Sequence, residues 1–306
     1  MASRLKESFV AEKTYAVTGA TGHVGKFVVE ELQRQGHQVR RIARSAGVDI
    51  HDGPVLARAF EGADGAFLMV PPEYKAADLR AWQNAAGARL FEAVKAAGVS
   101  RVVFLSNVNA GYEEGTGIIL GLHDMEERLN GLGIPELVHL RPTMFMESHL
   151  SAVGPIAQTG VYGGAFRPDA ALPMIATRDV GEMAAALLTE RRFQQPRVRT
   201  LLGPRNYTMT ETARVLGAAI GKPDLKYVQF PYEVVREAML GTGMSASYVD
   251  GVLELVRSFN EGKLRAMEEP RSAPNTTATT LQEFAQEAFR KAYETMTAAR
   301  SGFASI

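Results

Sequence analysis

Glycines near the start of the chain are spaced as they are in sites that bind phosphate groups. Gly19, Gly22 and Gly25 follow the apolar residues 15–17 and precede apolar residues at helical spacing. In a strand, tight turn and helix of this kind, the free N–H groups of the first helical turn face a negatively charged group. The spacing therefore predicts a dinucleotide site at the turn. The predicted contacts are Gly19, Thr21, Gly22, His23, Val24 and Gly25.

Basic residues stand where such a site would hold the adenosine ribose. About 20 residues after the glycines, NAD-specific sites usually present an acidic residue to the ribose 2′-hydroxyl. This chain has Arg41 and Arg44 there, and an arginine can pair with a 2′-phosphate through charge-assisted hydrogen bonds. We therefore predict NADP(H) as the preferred cofactor, NAD(H) as the alternative, and Asp49 as a contact of the adenine amino group. The alternative for Arg44 is a solvated surface charge.

The composition describes a globular protein without a charge bias. Of 306 residues, 46% are hydrophobic, and 34 Lys+Arg balance 34 Asp+Glu, so general nucleic-acid binding is not predicted. The absence of cysteine excludes disulfides and thiolate chemistry, and no metal site is predicted. Residues 1–13 lack the apolar core of a signal peptide, and no apolar run reaches membrane-spanning length. We expect a cytoplasmic protein without membrane association, and a homo-oligomer is compatible with these features.

Strand and helix patterns alternate through the first half of the chain. After the opening strand, we predict strands at residues 38–43, 47–52, 66–70, 101–105 and 137–140, with helical patterns between most of them. This alternation predicts an α/β fold with a Rossmann-type, doubly wound parallel sheet. Its ligands should bind in the crevice beyond the carboxyl ends of the strands.

The rhythm changes at about residue 151, where glycine and proline become frequent. We predict helices at residues 179–188, 208–217, 232–264 and 280–298, and a strand at residues 199–202. The chain is therefore divided into an NAD(P)-binding domain at residues 1–150 and a smaller, partly helical substrate-side region at residues 151–306. We expect the second region to be interleaved with the sheet.

Several segments together resemble the NmrA-like family of atypical short-chain dehydrogenases. The clearest are TGATGHVG at residues 18–25, FLMVPP at 67–72, VVFLSN at 102–107 and EERLNGLGIPELVHLRPTMFMES at 126–148. The resemblance covers nearly all of the chain. It implies a Rossmann-type domain that binds NADP(H) or NAD(H), under a substrate pocket roofed by the C-terminal part. The family includes NAD(P)H quinone and azo-dye reductases and redox-sensing regulators.

The resemblance gives a role to the hydroxyl that follows the strand at residues 101–105. It implies that Ser106 lies near the reacting group of the substrate, and that Asn107 holds a water or the nicotinamide amide. The position of both residues at the carboxyl end of a strand agrees with this role. The alternative is that Ser106 and Asn107 simply begin a turn.

The tyrosine and lysine that short-chain dehydrogenases use for proton transfer are not found as a Tyr-x-x-x-Lys pair. Tyr112 is followed by Thr116, and Leu122 or His123 stands where relatives often carry the lysine. His123 is the second catalytic candidate, because a histidine can deliver a proton near neutral pH or hold the nicotinamide ribose. The alternative is a solvated or capping histidine among the acidic residues that follow it.

Two further strand ends are expected to contact the cofactor. These contacts are Val70 and Pro71 after the strand at 66–70, and Pro142 and Phe145 after the strand at 137–140. Residues 144–146 either form an apolar pocket wall or belong to the core. An apolar pocket closed from the C-terminal half would favour a small apolar or aromatic substrate. Its predicted walls are Tyr162, Phe166, Phe230, Tyr232, Met239 and Met244.

These features predict an NAD(P)H-dependent oxidoreductase that transfers hydride to a quinone, azo, enone or imine acceptor. The missing Tyr-Lys pair weakens this prediction little, because hydride transfer depends mainly on how the nicotinamide and the acceptor are positioned. The alternative is a non-catalytic NADP(H)-binding redox sensor that acts through a protein partner. The glycine-containing residues 112–121 would then form a switching loop.

Overall fold

The protein is described by a computed structural model over residues 11–191 and 197–303. The sequence prediction that residues 1–13 hold no signal peptide therefore falls mostly outside the described residues. None of the described helices combines the length and the apolar character needed to cross a bilayer.

A parallel sheet forms the centre of the molecule. Over the described residues it has six strands in the order β2-β1-β3-β4-β5-β9, and each neighbouring pair is parallel. Two small sheets, β10-β8-β6 and β11-β7, lie in the second half. The strands are β1 (Thr14–Thr18), β2 (Gln38–Ile42), β3 (Gly65–Leu68), β4 (Arg101–Leu105), β5 (Glu136–Pro142), β6 (Met144–Phe145), β7 (Tyr162–Gly164), β8 (Ala171–Ile175), β9 (Val198–Leu201), β10 (Asn206–Thr208) and β11 (Tyr227–Gln229).

Helices follow most of the strands of the central sheet, as the alternating pattern predicts. They are α1 (Gly25–Arg34), α2 (Gly53–Phe60), α3 (Leu79–Ala97), α4 (Leu120–Asn130), α5 (Val153–Thr159), α6 (Thr177–Thr189), α7 (Met209–Ala219), α8 (Tyr232–Gly241), α9 (Ala246–Asn260), α10 (Leu281–Phe284) and α11 (Arg290–Phe303). A π-helical turn at Ala285–Phe289 joins α10 to α11, and short 3-10 turns occur at Arg44–Ala46, Gly117–Ile119 and Met146–Ala152. The doubly wound α/β architecture is confirmed.

The two faces of the sheet bury alternate residues of each strand, because side chains along a strand point to opposite sides. On β4, Phe104 packs into the core formed with α2, α3 and α4, whereas Val103 packs into the core formed with α1 and α6. Both residues are fully buried. The central strands are therefore apolar on both faces, which explains the uninterrupted apolar runs in the sequence.

The second half of the chain completes the central sheet. Strand β9 pairs with β5 at the edge, and α6 packs closely on α1. A Cβ at Gly181 of α6 would overlap the side chain of Phe27, so a glycine is what allows the two helices to approach. Strand β9 thus joins residues from beyond 150 to the central sheet, while the division of the chain at residue 150 stays a prediction.

The strand predicted at residues 47–52 is wrong. Gly47 has a left-handed φ of 77° after the 3-10 turn, and the Asp49 carboxylate accepts a hydrogen bond from the His51 amide at 2.9 Å. Asp52 then accepts from the Val55 amide at 3.1 Å and caps α2. Aspartates that bond to nearby backbone amides favour turns and helix starts over strands.

Helix α9 connects the C-terminal half to the loops that leave the carboxyl ends of β3 and β4. Gly117 and Gly251 face each other, and a Cβ at Gly117 would overlap the Gly251 carbonyl oxygen. Ser247 of α9 accepts a hydrogen bond from the Leu79 amide at 2.9 Å. The loop at residues 112–121 is therefore packed against a helix.

Candidate functional site

The glycine turn forms a compact cradle between β1 and α1. Gly19 has a φ of 62°, and the Gly22 amide donates to its carbonyl oxygen at 2.8 Å. A Cβ at Gly25 would overlap that same oxygen and lie 2.7 Å from the Gly19 carbonyl carbon. Helix α1 begins here without a side-chain cap and without an acidic residue in its first turn. This is the arrangement that leaves the positive end of the helix dipole to an anion.

A hydrogen-bonded link holds the end of β3 beside the cradle. The Thr18 hydroxyl accepts from the Met69 amide at 2.7 Å and donates to the Phe67 carbonyl at 3.2 Å. Sheet order reverses between β1 and β3, and such a reversal opens a ligand crevice at the carboxyl ends of the strands. Val70 and Pro71 follow β3 and therefore lie at this crevice, as expected.

The predicted ribose contacts separate into two groups. The Ser45 hydroxyl donates to the Thr21 hydroxyl at 3.1 Å, which joins the segment after β2 to the glycine turn. Arg44, the preceding residue, is exposed. Arg41 is also exposed, but its guanidinium donates to Gln33 on α1 at 3.2 Å. Sequence reasoning missed Ser45, although a hydroxyl directly after Arg44 is a usable signal for phosphate binding.

At the other side of the crevice, Ser106 belongs to a buried charged network. Its hydroxyl donates to the carboxylate of Glu126 on α4. The Arg141 guanidinium donates to both oxygens of the same carboxylate, at 2.9 and 2.6 Å. Ser106 follows β4, Arg141 lies on β5, and both point to the face of the sheet that α4 covers. In the sequence, Glu126 is one of several acidic residues on a helix and carries no signal of this role.

A second carboxylate completes the network from the C-terminal half. Glu268, between α9 and α10, accepts from Arg141 at 3.0 Å, from the Asn109 amide at 2.9 Å and from the Thr200 hydroxyl at 3.2 Å. One side chain thus binds the loop after β4, the strand β5 and the strand β9. Sequence reasoning missed Arg141 and Glu268, and no local pattern marks Glu268.

The charged side chains of this network are largely buried, so each depends on its partners for compensation of its charge. The side chains of Glu126, Arg141 and Glu268 are 4%, 12% and 21% exposed. Burial opposes the charge on Arg141, but the hydrogen bonds and charges of the two carboxylates outweigh it and raise the pKa of Arg141 above its usual value. We call these three side chains the strand-end cluster.

His123 lies one helical turn before Glu126 on α4 and is half-buried. Its Nδ1 lies 2.8 Å from the carbonyl oxygen of Ala110 in the loop after β4. A carbonyl oxygen only accepts, so Nδ1 carries the hydrogen and Nε2 is the nitrogen that can exchange a proton. The neighbouring Asp124 is bound by Arg80, which holds the pKa of that carboxyl below its usual value. Ser106 and His123 thus flank the same loop, each with a different hydrogen-bond partner.

The loop after β4 forms a turn and contains an asparagine with an uncommon backbone conformation. Asn107 is half-buried, and its carbonyl accepts from the Ala110 amide at 3.1 Å. Asn109 is fully buried with a φ of 70°, which is uncommon for a residue other than glycine. Neither polar atom of its side-chain amide has a hydrogen-bond partner. Turn formation, which was the alternative for residues 106 and 107, is thus present at this strand end.

The segment after β5 is anchored to its neighbours. The Val108 amide donates to the Pro142 carbonyl at 3.0 Å, so the loops after β4 and β5 leave the sheet side by side. Phe145 is half-buried and packs on the core under α1 and α6. Met146 is fully buried, which supports the core alternative for that residue.

The apolar residues of the C-terminal half lie in two environments. Tyr162 is buried, and its hydroxyl oxygen lies 2.8 Å from Nδ1 of His149. It therefore belongs to the core of the C-terminal region and does not form a pocket wall. The remaining predicted wall residues are half-buried, and apart from Phe230 they pack in the cluster around α8 and α9. These residues are Phe166, Phe230, Tyr232, Met239 and Met244.

Comparisons with known proteins agree with this architecture. The model of the NmrA-like family matches residues 11–285. An NAD(P)H azoreductase from Xenophilus azovorans is 26% identical over 255 residues, which cover 78% of this chain and 85% of that protein. Quinone oxidoreductase 2 from Escherichia coli (strain K12) is 26% identical over 268 residues, which cover 81% of this chain and 87% of that protein.

A solved structure extends the likeness to the fold. The triphenylmethane reductase from Citrobacter sp., complexed with NADP(H), superposes with a TM-score of 0.69 and 19% sequence identity. The superposition covers 90% of this chain and 99% of that chain. At this identity, the match concerns the fold alone.

Proposed function

Because the chain belongs to the NmrA-like family, we propose that it is an NAD(P)H-dependent reductase that transfers hydride to a small apolar or conjugated acceptor. The observation that carries the proposal is the glycine cradle at the switch point of the sheet. Backbone groups meet there so closely that Gly25 leaves no room for a Cβ. A cradle of this kind is built for the pyrophosphate of a dinucleotide.

The residues around the cradle suit the whole of such a cofactor. Gly19, Gly22 and Gly25 would hold the pyrophosphate together with Thr21, His23 and Val24 of the same turn. On the β2 side, Arg44 and Ser45 would bind a ribose 2′-phosphate, so NADP(H) is the preferred cofactor and NAD(H) the second choice. Asp49 stays a proposed adenine contact through its second carboxylate oxygen. Arg41 is the weaker candidate because its guanidinium is bound to Gln33.

The other half of the cofactor would extend over the carboxyl ends of β3, β4 and β5. Its proposed contacts there are Val70, Pro71, Asn107, Pro142 and Phe145. When bound and reduced, the nicotinamide supplies the hydride. The protein's part is to orient the acceptor and to exclude water from this strand-end crevice.

Two side chains have distinct roles in the proposed reaction. The Ser106 hydroxyl donates its hydrogen to Glu126, so its oxygen is held in place and accepts a hydrogen bond from water in the crevice. His123 would deliver the proton from Nε2 of its doubly protonated ring and keep the Nδ1 hydrogen, which is held by the Ala110 carbonyl. The neutral ring that remains would take up a new Nε2 proton from solvent. Solvent at the crevice is the alternative proton source for acceptors such as quinones, whose reduced forms are weakly acidic.

The proposed substrate class rests on the apolar side chains of the C-terminal half. Aromatic and methionine side chains around α8 and α9 favour flat, apolar acceptors. Two relatives are named as an NAD(P)H azoreductase and a quinone oxidoreductase. We propose azo and quinone compounds as the first acceptors to test.

The test follows NADPH absorbance with a panel of quinones, azo dyes, enones and imines. Turnover should occur with at least one class, and His123→Ala should lower kcat by about 10²-fold or more, as is typical for removal of a proton-transfer group. Ser106→Ala removes a hydrogen-bonding hydroxyl at the strand end and should lower kcat by a smaller factor. Ser151→Ala, which removes an exposed hydroxyl bonded only to the Ser148 carbonyl, is the matched control. Tight NADPH binding without oxidation by any acceptor would contradict the reductase and favour the sensor.

A further inference from the structure

The strand-end cluster carries one more negative than positive charge. Both oxygens of Glu126 and both oxygens of Glu268 face donors, from Ser106, Arg141, Asn109 and Thr200. A carboxylate surrounded by donors alone is the ionised, acceptor-only form. Arg141 is positively charged, so the three side chains together carry a net charge of about minus one.

The negative charge of the cluster is poorly screened by water and salt, because its side chains are largely buried. The two members that bind each other most closely, Glu126 and Arg141, are 4% and 12% exposed. Salt screens exposed charges far more than buried ones. Arg80, a cation that reaches α4, is already paired with Asp124 at 2.7 Å. The negative charge of the cluster is therefore not cancelled by that pair.

The cluster lies at a defined place in the crevice. The glycine cradle follows β1, and Arg44 and Ser45 follow β2 on one side of it. A dinucleotide whose adenosine lies toward β2 must extend the other way, over the carboxyl ends of β3 to β5. Ser106 directly follows β4, and Arg141 precedes the last residue of β5. The charged cluster is thus built into the strand ends over which the nicotinamide half would lie.

Charge at this place acts differently on the two redox forms of a nicotinamide. The oxidised ring carries a positive charge and the reduced ring is neutral. We propose that the negative charge of the strand-end cluster stabilises the oxidised ring relative to the reduced ring. The bound reduced cofactor is then a stronger hydride donor. This inference rests on the proposed function. Glu126, Arg141 and Glu268 are therefore positioning residues that act through charge without contacting the reacting atoms.

The test compares the dissociation constants of NADP+ and NADPH by titration calorimetry, in the wild type and in variants that change the charge count. Glu126→Gln and Glu268→Gln each bring the cluster to a net charge of zero. Each should raise the ratio of the NADP+ constant to the NADPH constant by on the order of tenfold, as expected for a unit charge about 10 Å away at an effective dielectric constant of about 20. Glu268→Gln is the safer variant because its side chain is 21% exposed.

Two controls separate charge from geometry. The double variant Glu126→Gln with Arg141→Met loses the hydrogen bonds of Arg141 to both Glu126 and Glu268 but keeps the net charge at minus one, so its ratio should stay within about twofold of the wild type. Glu127→Gln removes an exposed carboxylate from the same helix and should also leave the ratio unchanged. Thermal melts of each variant verify that it is folded before titration.

The outcomes distinguish this inference from the function on which it rests. Unchanged ratios in both single variants would overturn the inference, as would a tenfold shift in the double variant. If the wild type binds neither NADP+ nor NADPH, the proposed function fails and the inference falls with it. A lower hydride-transfer rate in Glu268→Gln, together with the shifted ratio, would support both.

Discussion

The glycine cradle and the strand-end cluster both lie at the carboxyl ends of the strands of the central sheet, but they are built in opposite ways. The cradle consists of backbone from seven consecutive residues, Gly19 to Gly25, and depends on the absence of side chains. The cluster consists of side chains from α4, β5 and the segment before α10, and depends on mutual charge satisfaction. The cradle is therefore vulnerable to one extra carbon atom, and the cluster to the loss of one charge.

This difference extends to what each region contributes to stability. A buried ion pair contributes little net stability, but removal of one partner leaves the other charge uncompensated. The cradle has no buried charge to expose, so its failure should affect binding more than folding. The predictions that follow test this distinction.

The largest expected effect is the loss of protein stability when one charge of the strand-end cluster is removed. Glu126→Ala leaves the Arg141 guanidinium buried with only Glu268 as a charged partner, and should cost about 3–5 kcal/mol of unfolding free energy. Urea denaturation measures this loss. Asp250→Ala, which breaks the exposed pair with Arg236, is the control and should cost far less. Equal losses in the two variants would show that burial does not distinguish the two pairs.

The free energy of unfolding should depend on pH through a buried histidine beside the cluster, whereas the cradle holds no buried histidine. His139 on β5 shares the face of Arg141, and burial lowers its pKa from 6.5 to about 4. The unfolded chain therefore takes up a proton at higher pH than the folded chain does. The contribution of His139 to stability should be constant above pH 6.5 and fall by roughly 2–3 kcal/mol as the pH drops toward 4.

Urea denaturation across this pH range checks the prediction, with His139→Leu as the comparison. The variant should lose this part of the pH dependence, while a second buried histidine, His149, keeps its own contribution in both proteins because burial lowers its pKa to about 4. Identical pH profiles for the two proteins would remove His139 as the cause.

In the cradle, one methyl group should abolish useful binding. The Cβ of Gly25→Ala would overlap the Gly19 carbonyl and displace the turn. We expect NADPH affinity to fall by at least about 100-fold, because misplacement of about 1 Å has effects of that size. Gly36→Ala, with a φ of 82° but open space around it, is the control at the other end of α1 and should keep its affinity. Retained binding in Gly25→Ala would refute the role of the cradle.

The smallest effect concerns the choice between cofactors. Arg44→Ala should weaken NADPH binding by about tenfold, the value of one charge-assisted hydrogen bond, and leave NADH binding unchanged. Arg41→Ala is the matched control, because Arg41 already bonds to Gln33. Titration of both nucleotides decides the question, and a larger effect from Arg41 would reverse the assignment.

Much of the fold could be predicted because its signals are local. The cradle is a contiguous motif, and the buried strands read as apolar runs. The helix at α7 carries a recognisable cap, since Thr208 and Glu211 form a capping box. The strand predicted at residues 47–52 failed for a local reason as well, because two aspartates bind nearby amides and stabilise a turn instead.

The cluster could not be predicted in the same way. Glu126 has the same appearance in sequence as any acidic residue on a helix, and Glu268 lies in a segment without a motif. Their meeting depends on β4 and β5 being neighbours, and on Ser106 and Arg141 facing the side of the sheet that α4 covers. It also depends on the path of the segment after α9, which brings Glu268 to the ends of β4 and β5. No hydrophobic periodicity in the sequence predicts that path.

The sequence by itself determined the glycine cradle, the order of strands and helices and the family, because backbone conformation and hydrophobic period are properties of neighbouring residues. Only the tertiary structure decided that Arg41 binds α1 while Ser45 reaches the cradle, and that Ser106 donates to a buried carboxylate. These are contacts between residues distant in the chain. Their energies depend on burial and on the charges brought together, and neither exists before the chain is folded.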